Sequence, residues 1–240
     1  MSISSLATLT MPAAVTYGKR KYPITRVTIH HAACITTARA LGLYFQMPNS
    51  HGSANYGIGN DGQIVNMVDE EKASCTSNSM ENDHAAITIE VSNSATGGDW
   101  PVSEAAMESL IKLLVDICQR NPGIGRLNYT GDLKGNMTMH KWFAATGCPG
   151  AYLGGKFPWI AEEVNRRLEE SAATSSPAEQ PPMEEETEMR YNNLNEVPDY
   201  GKKTIGKLID AGALKGTGEG LNLSEDMIRM LVILDRMGKL

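Results

Sequence analysis

Three residues of the sequence could together hold a metal ion: His30, His140 and Cys148. Two histidines and one cysteine are a ligand set that zinc accepts while it keeps a fourth position open for water, and that open position distinguishes a catalytic site from a structural one. The segment around Cys148, Thr-Gly-Cys-Pro-Gly, predicts a tight turn that can return the thiol to His140. The spacing alone is not a standard zinc motif, since a histidine and a cysteine placed in this way are more often unrelated than ligands.

Three short strands with one shared pattern would position these residues. The segments are 27–30, 87–90 and 137–140. Each alternates apolar residues with threonine and ends in His or Glu, and side chains alternate between the two faces of a strand. If the strands lie in one sheet, His30, Glu90 and His140 converge on its polar face, whereas His31 points to the other face as a packed or supporting residue. The alternative is three ordinary amphipathic strands whose polar ends face water.

The remaining pattern before residue 170 predicts a domain that mixes strands and helices. Apolar spacing predicts helices over 103–119, with Ser103 as the N-cap, and over about 158–169. Asn-Asp-Gly at 60–62 predicts a hairpin turn. The charged residues at 70–72 are expected on a solvated face.

The composition is that of a globular chain. Of 240 residues, 41% are hydrophobic and 21% charged, and the net charge of −6 without a basic block argues against nucleic acid as the main partner. The first 15 residues lack both a basic start and a continuous apolar run, so neither a signal peptide nor membrane insertion is expected. Without a signal peptide, the four cysteines are expected to be reduced thiols.

The segment 171–188 predicts a flexible linker, because its prolines, small polar residues and acidic run cannot bury enough apolar surface to order it. It divides the chain into a large domain, 1–170, and a small helical module, 189–240. In that module, a helix over 203–211 precedes a last helix with Ser224 as its N-cap. The apolar stripe of the last helix, expected to be core, consists of Met227, Met230, Leu231 and Leu234. So small a unit has little core, and a partner or a second copy, hence a homo-oligomer, is expected.

Four motifs in this order resemble the zinc-dependent N-acetylmuramoyl-L-alanine amidases of the type 2 amidase and peptidoglycan-recognition-protein superfamily. The motifs are VTIHHAA, SANYGIGNDG, NDHAAITIEVSN and MHKWF followed by CPG. Within the superfamily, the chain is most similar to bacteriophage endolysins of Gram-positive hosts. The resemblance covers roughly residues 15–168, and it implies an α/β fold with a central mixed β-sheet flanked by helices.

The resemblance implies a role for each matching residue. It places the zinc ligands at His30, His140 and Cys148, a tyrosine near the zinc-bound water at Tyr56, and the general base of some members at Glu90. The implied reaction is attack of zinc-activated water on the amide between N-acetylmuramic acid and L-alanine of the peptide stem. Peptidoglycan is thus the implied substrate.

Thr146 stands two residues before the cysteine, where many phage and bacterial members carry a lysine and the active recognition-protein amidases carry a threonine. A threonine hydroxyl can donate one hydrogen bond to an oxyanion but brings no charge. It should therefore polarise the carbonyl less strongly than lysine.

The small module is similar to the C-terminal modules of Firmicutes-phage endolysins, through the pattern Thr-Ile-x-Lys-Leu-Ile-x-x-Gly-x-Leu-Lys-Gly followed by Leu-x-Leu-Ser-Glu-Asp. This similarity implies binding to a cell-wall ligand. Synthesis in the host cytoplasm, followed by access to the wall after membrane permeabilisation, is then implied. Two alternatives stay open: a non-catalytic peptidoglycan-binding protein, and a regulator that binds another protein on the same fold. The presence of Cys148 argues against the first, and the linker and module argue against the second.

Overall fold

The computed structural model describes residues 3–175, 189–216 and 220–240, and the chain divides into two compact units, Met1–Ser176 and Pro177–Leu240. The strands of the first unit are β1 Leu9–Thr10, β2 Gly18–Lys19, β3 Arg26–His31, β4 Tyr56–Ile58, β5 Ile64–Asn66, β6 Lys72–Ala73, β7 Ala86–Val91 and β8 Met137–Met139. Its α-helices are α1 Ala38–Gln46, α2 Met80–Ala85, α3 Glu104–Arg120 and α4 Ala151–Ser175, and a short 3₁₀ helix covers His140–Trp142.

A six-stranded mixed sheet forms the centre of the first unit, in the order β1-β5-β4-β7-β3-β8. Strand β3 runs parallel to both β7 and β8, and the register pairs His30 with Glu90 and Ile29 with Met139. Strands β4 and β5 form the predicted antiparallel hairpin around Gly62, whose φ is +82°. The predicted architecture, a mixed sheet flanked by helices, is confirmed.

Helices α3 and α4 cover one face of the sheet. The Ser103 side chain caps α3 by accepting a hydrogen bond from the Ala106 N–H. The apolar residues whose spacing predicts this helix are all buried: Met107, Leu110, Ile111, Leu114, Ile117 and Cys118. Helix α4 begins seven residues before the predicted start and continues through Pro158 to Ser175. The first five residues of the predicted linker are therefore helical, and the rest of it, from 176 to 188, lies outside the described residues.

The opposite face of the sheet carries a buried polar layer beneath α1, α2 and their loops. The hydroxyls of Thr28 and Thr138 lie 2.8 Å apart, and the Asn82 side-chain amide donates to Thr28 at 2.9 Å. The Thr88 hydroxyl lies 2.7 Å from the hydroxyl of Ser74, which follows β6 in the loop before α2. The threonines of the three strands are thus hydrogen-bonded inside the protein and do not face water, because short polar side chains from α2 and its preceding loop satisfy them.

Glu70 is fully buried, so the expectation of a solvated face is wrong for this residue, although Glu71 and Lys72 are exposed. Its carboxylate accepts two hydrogen bonds from the Arg120 guanidinium, at 2.7 and 2.9 Å, and one from the Tyr56 hydroxyl at 2.6 Å. Arg120, fifty residues away in the sequence, supplies the charge that makes this burial possible.

Replacing Arg120 with methionine should lower the free energy of unfolding by about 3 kcal/mol, because the Glu70 carboxylate would stay buried without its counter-ion. Urea unfolding followed by tryptophan fluorescence measures this effect in the first unit, which contains all three tryptophans. Arg126→Met is the control. It removes an ion pair to Glu169 in which both side chains are more than 60% exposed, and should cost under about 1 kcal/mol. Equal losses in the two variants would contradict the role given to Arg120.

The second unit consists of helices α5 Asp199–Asp210 and α6 Glu225–Arg236 and a pair of two-residue strands, β9 Arg190–Tyr191 and β10 Leu223–Ser224. Ser224 caps α6 as predicted. The predicted core stripe of α6 is wrong for Met227 and Met230, which are exposed, whereas Leu231 packs against the core cluster. The buried residues of α6 are Ile228 and Val232. Among the described helices of the chain, none is long and apolar enough to cross a membrane.

Candidate metal centre

The side chains of His30, His140 and Cys148 meet at one end of the parallel strands. Their ligand atoms all lie within 4.8 Å of one another, so the three residues form a group that could hold a metal ion. His30 is near the end of β3, and His140 directly follows β8, the neighbouring parallel strand. The loop after the 3₁₀ helix returns Cys148 to this point, where its sulfur lies 3.6 Å from Nδ1 of His30.

The protonation states of the two histidines suit metal binding. Burial lowers the pKa of His30 well below its usual value, and the neighbouring His140 and His31 lower it further. Burial also lowers the pKa of His140. Both rings are therefore neutral at pH 7 and have a free nitrogen lone pair. Nε2 of His30 is buried and has no hydrogen-bond partner among the described residues, as expected of an atom that awaits a ligand.

Cys148 is buried, and desolvation followed by the charge of Glu90 raises the pKa of its thiol. In the metal-free protein this cysteine is a neutral thiol, and only a cation at the site would favour the thiolate. Binding of a divalent metal should therefore release the Cys148 proton. A His₂Cys set that lies inside the protein fits a zinc ion by the chemistry of its donors.

Glu90 lies beside the three ligands, on the central strand β7. Its Oε1 is 4.0 Å from Nδ1 of His30, and its Oε2 is buried without a hydrogen-bond partner among the described residues. Burial raises the pKa of Glu90 to about 8. This carboxyl group thus lies where it can exchange a proton with a molecule bound beside the ligand group.

The loop from Thr146 to Gly150 holds Cys148 through backbone contacts. The Thr146 hydroxyl accepts a hydrogen bond from the Cys148 N–H at 3.2 Å, and the Cys148 carbonyl accepts one from the Lys141 N–H at 3.1 Å. Gly150 has a φ of +84°, and a Cβ there would lie 3.0 Å from the Cβ of Trp100 and 3.3 Å from the His31 ring. Only glycine permits this close approach.

Tyr56 does not reach the metal centre, so the prediction for this residue is wrong. It pairs in register with Ile89, while its neighbour Gly57 pairs with Glu90. Because side chains alternate, the Tyr56 ring lies on the other face of the sheet, in the core beneath α3. Its hydroxyl donates to Glu70 and accepts from the Ser4 N–H at 2.8 Å, which is a structural role.

His31 stays outside the ligand group, as predicted, and packs edge-on against Trp100 with ring centroids 5.3 Å apart. A cleft of about 500 Å³ adjoins the centre and reaches Glu90. Its walls include Leu41, Tyr44, Phe45, His51 and Thr76. The sequence analysis missed these residues because they come from α1 and from loops that carry no motif of their own.

The chain is similar in sequence to one protein family and in fold to several solved structures. A family model described as N-acetylmuramoyl-L-alanine amidase matches residues 20–151, a range that includes all three ligands. No curated protein sequence matches the chain. Solved structures similar to it include the catalytic domain of XlyA (18% identity, 65% of this chain and 97% of that one, TM-score 0.50) and a mutant endolysin from Bacillus subtilis (19%, 65% and 97%, 0.50). An AmpD derivative is similar as well (20%, 66% and 96%, TM-score 0.51).

At such identities the solved structures establish a shared fold and no more. The family match covers more than half of the chain and comprises the strands and the loop that bring the metal ligands together. On this evidence, the chain belongs to the N-acetylmuramoyl-L-alanine amidase family of the type 2 amidases.

Proposed function

We propose that the protein is a zinc-dependent N-acetylmuramoyl-L-alanine amidase that cleaves the bond between N-acetylmuramic acid and L-alanine in peptidoglycan. The observation that carries this proposal is the convergence of His30, His140 and Cys148 beside the half-buried Glu90, in a chain of this family. A protein that only binds peptidoglycan has no need for a complete ligand set with an acid–base group next to it.

His30, His140 and Cys148 would hold the zinc ion. When bound, zinc supplies a Lewis acid that polarises the scissile carbonyl and lowers the pKa of water. The chain's own contribution is to keep both imidazoles neutral by burial and to hold the thiol of Cys148 within reach of His30.

Glu90 would act as the general base and then as the general acid. Its unpartnered Oε2 can take the proton of the attacking water, and the same carboxyl can pass that proton to the leaving amine of L-alanine. The raised pKa of Glu90 makes it a stronger base than an exposed glutamate. Thr146 already accepts a hydrogen bond from the Cys148 N–H, so its own proton is free to donate to the developing oxyanion.

The cleft beside Glu90 would take the peptide stem. Its walls combine the apolar side chains of α1 with the hydroxyls of Ser50, Ser53 and Thr76, a combination that suits a peptide of small residues. Glu90 is the only carboxylate among the described residues that line it. We infer that the scissile amide would lie at the edge of the cleft beside Glu90, nearest the metal ligands.

We further propose that the chain is a modular endolysin of a bacteriophage with a Gram-positive host, with a catalytic domain that extends to the end of α4 at Ser175, a linker before residue 189 and a wall-binding module at 189–240. The fold that the chain shares with an endolysin and the compactness of the second unit support this proposal. Such an enzyme acts at the cell wall after the membrane has been permeabilised.

Removing the metal tests the enzymatic proposal. Purified Gram-positive walls treated with the zinc-loaded protein should lose turbidity and gain new alanine amino termini, and a chelator should reduce both to the level of buffer. Added zinc should restore them. The absence of new amino termini with fully loaded protein would contradict the amidase assignment, and cleavage that the chelator leaves unchanged would contradict the role of the metal.

A further inference from the structure

Helix α6 of the second unit is apolar on two faces. One face packs into the small core of this unit through Ile228 and Val232. On the other face, Met227, Met230, Ile233 and Met237 form a row that is 47%, 64%, 56% and 63% exposed, which we call the outer row. The spacing of the outer row, at steps of three and four residues, places its members side by side along the helix.

The outer row differs from the scattered apolar side chains that every protein surface carries. Four consecutive positions of one helical stripe are exposed, and a contiguous patch of this kind marks an interaction surface. Among the described residues of the second unit, five form its core cluster of buried side chains: Val197, Ile205, Leu223, Ile228 and Val232. A unit with so small a core gains stability when it buries further apolar area against a partner.

The charges at the two ends of α6 indicate what that partner is. Asp226 lies at the amino end, and Arg236 and Lys239 lie at the carboxyl end. None of these three side chains forms an ion pair among the residues that the structure describes, and the one charge that Asp226 interacts with there is that of Arg229, whose ion pair is with Glu225. If a second α6 packs antiparallel against the first, each Asp226 comes near the basic end of the other helix, and the two helix dipoles oppose each other favourably.

We propose that two copies of this chain pair through the outer row of α6, helix against helix in antiparallel orientation about a two-fold axis. Methionine suits such a contact because its flexible thioether adapts to an identical neighbour. A membrane surface is the less suitable partner, because helices that lie on membranes carry mainly Lys and Arg on the polar face, whereas α6 has acidic residues at its amino end. This inference does not depend on the proposed function, because association is measured without substrate.

Sedimentation velocity of the full-length chain between about 1 and 100 µM tests the pairing. We expect a species of twice the 26.0 kDa chain mass that dissociates on dilution. Met230→Glu places two carboxylates in the interface and should weaken association at least about 100-fold. Leu133→Glu is the matched control, since Leu133 is 49% exposed in the first unit and its substitution should leave association unchanged.

Charge reversal tests the orientation without changing the apolar surface. Asp226→Lys should weaken the dimer, and Asp226→Lys combined with Arg236→Glu should restore it. A chain that stays monomeric over the whole range would overturn the proposal, as would a dimer that neither Met230→Glu nor Asp226→Lys weakens. Monomeric protein that sediments with anionic lipid vesicles would overturn it in favour of a membrane contact. Far-UV circular dichroism confirms that each variant is folded, and the charge-reversal pair decides the question if Met230→Glu does not fold.

Discussion

Replacing Cys148 with serine should abolish both metal retention and amide cleavage. A serine hydroxyl is not deprotonated near pH 7, so the site would keep only the two imidazoles of His30 and His140 as effective ligands. Losing the several kcal/mol of charge stabilisation that a metal supplies should lower the rate about 10³-fold or more. Metal content by mass spectrometry and new amino termini from purified walls measure the two effects.

Cys34→Ser is the control for the chemical change itself, because Cys34 is an exposed free thiol outside the ligand group. Its metal content should equal that of the unmodified protein. If Cys148→Ser retained metal and rate, the proposed ligand set would be wrong. Tryptophan fluorescence separates the loss of a metal ligand from misfolding of Cys148→Ser, because the three tryptophans all lie in the first unit.

Replacing Glu90 with glutamine should separate chemistry from metal binding. The amide keeps the shape of the side chain but cannot take a proton, so the rate should fall about 10²- to 10⁴-fold, the usual contribution of a general acid–base group. Metal content should stay unchanged, because Glu90 is not a member of the ligand group. The measurement is the initial rate of amide cleavage per bound metal ion.

Glu71→Gln is the matched control for Glu90→Gln. It makes the same chemical change at an exposed glutamate outside the cleft, and its rate should match that of the unmodified protein. A Glu90→Gln enzyme with normal rate would show that another group moves the proton. A Glu90→Gln protein that loses its metal would instead assign Glu90 to holding the ligands.

The convergence of the metal ligands could be predicted because it depends on local patterns. Alternation within each strand fixes the face on which His30 and Glu90 lie, and the sheet pairs them in register. The turn residues around Cys148 made its return to His140 possible, and the family resemblance assigned it as the third ligand. The prediction for the histidines and Glu90 also needed the three strands to be neighbours in one sheet.

The wrong predictions for Tyr56, Glu70 and α6 have a different origin. Each depends on strand register or on packing between residues that are far apart in the sequence. Tyr56 falls on the wrong face because β4 pairs with β7 so that Gly57, and not Tyr56, lies beside Glu90. No local signal specifies that register. Glu70 resembles a solvated residue in the sequence until Arg120 is brought to it by the packing of α3. In α6, helical periodicity gives two apolar faces and does not say which of them is the core.

The ligands His30 and Cys148 are 118 residues apart in the sequence, and they meet only after the parallel strands β3 and β8 have paired. In the unfolded chain only His140 and Cys148 are close in sequence, eight residues apart, so no short segment contains all three ligands. The complete ligand set belongs to the folded state, so bound metal stabilises that state by mass action, reduced by any binding to the unfolded His–Cys pair. Metal uptake during refolding would thus follow sheet assembly in time and report its completion.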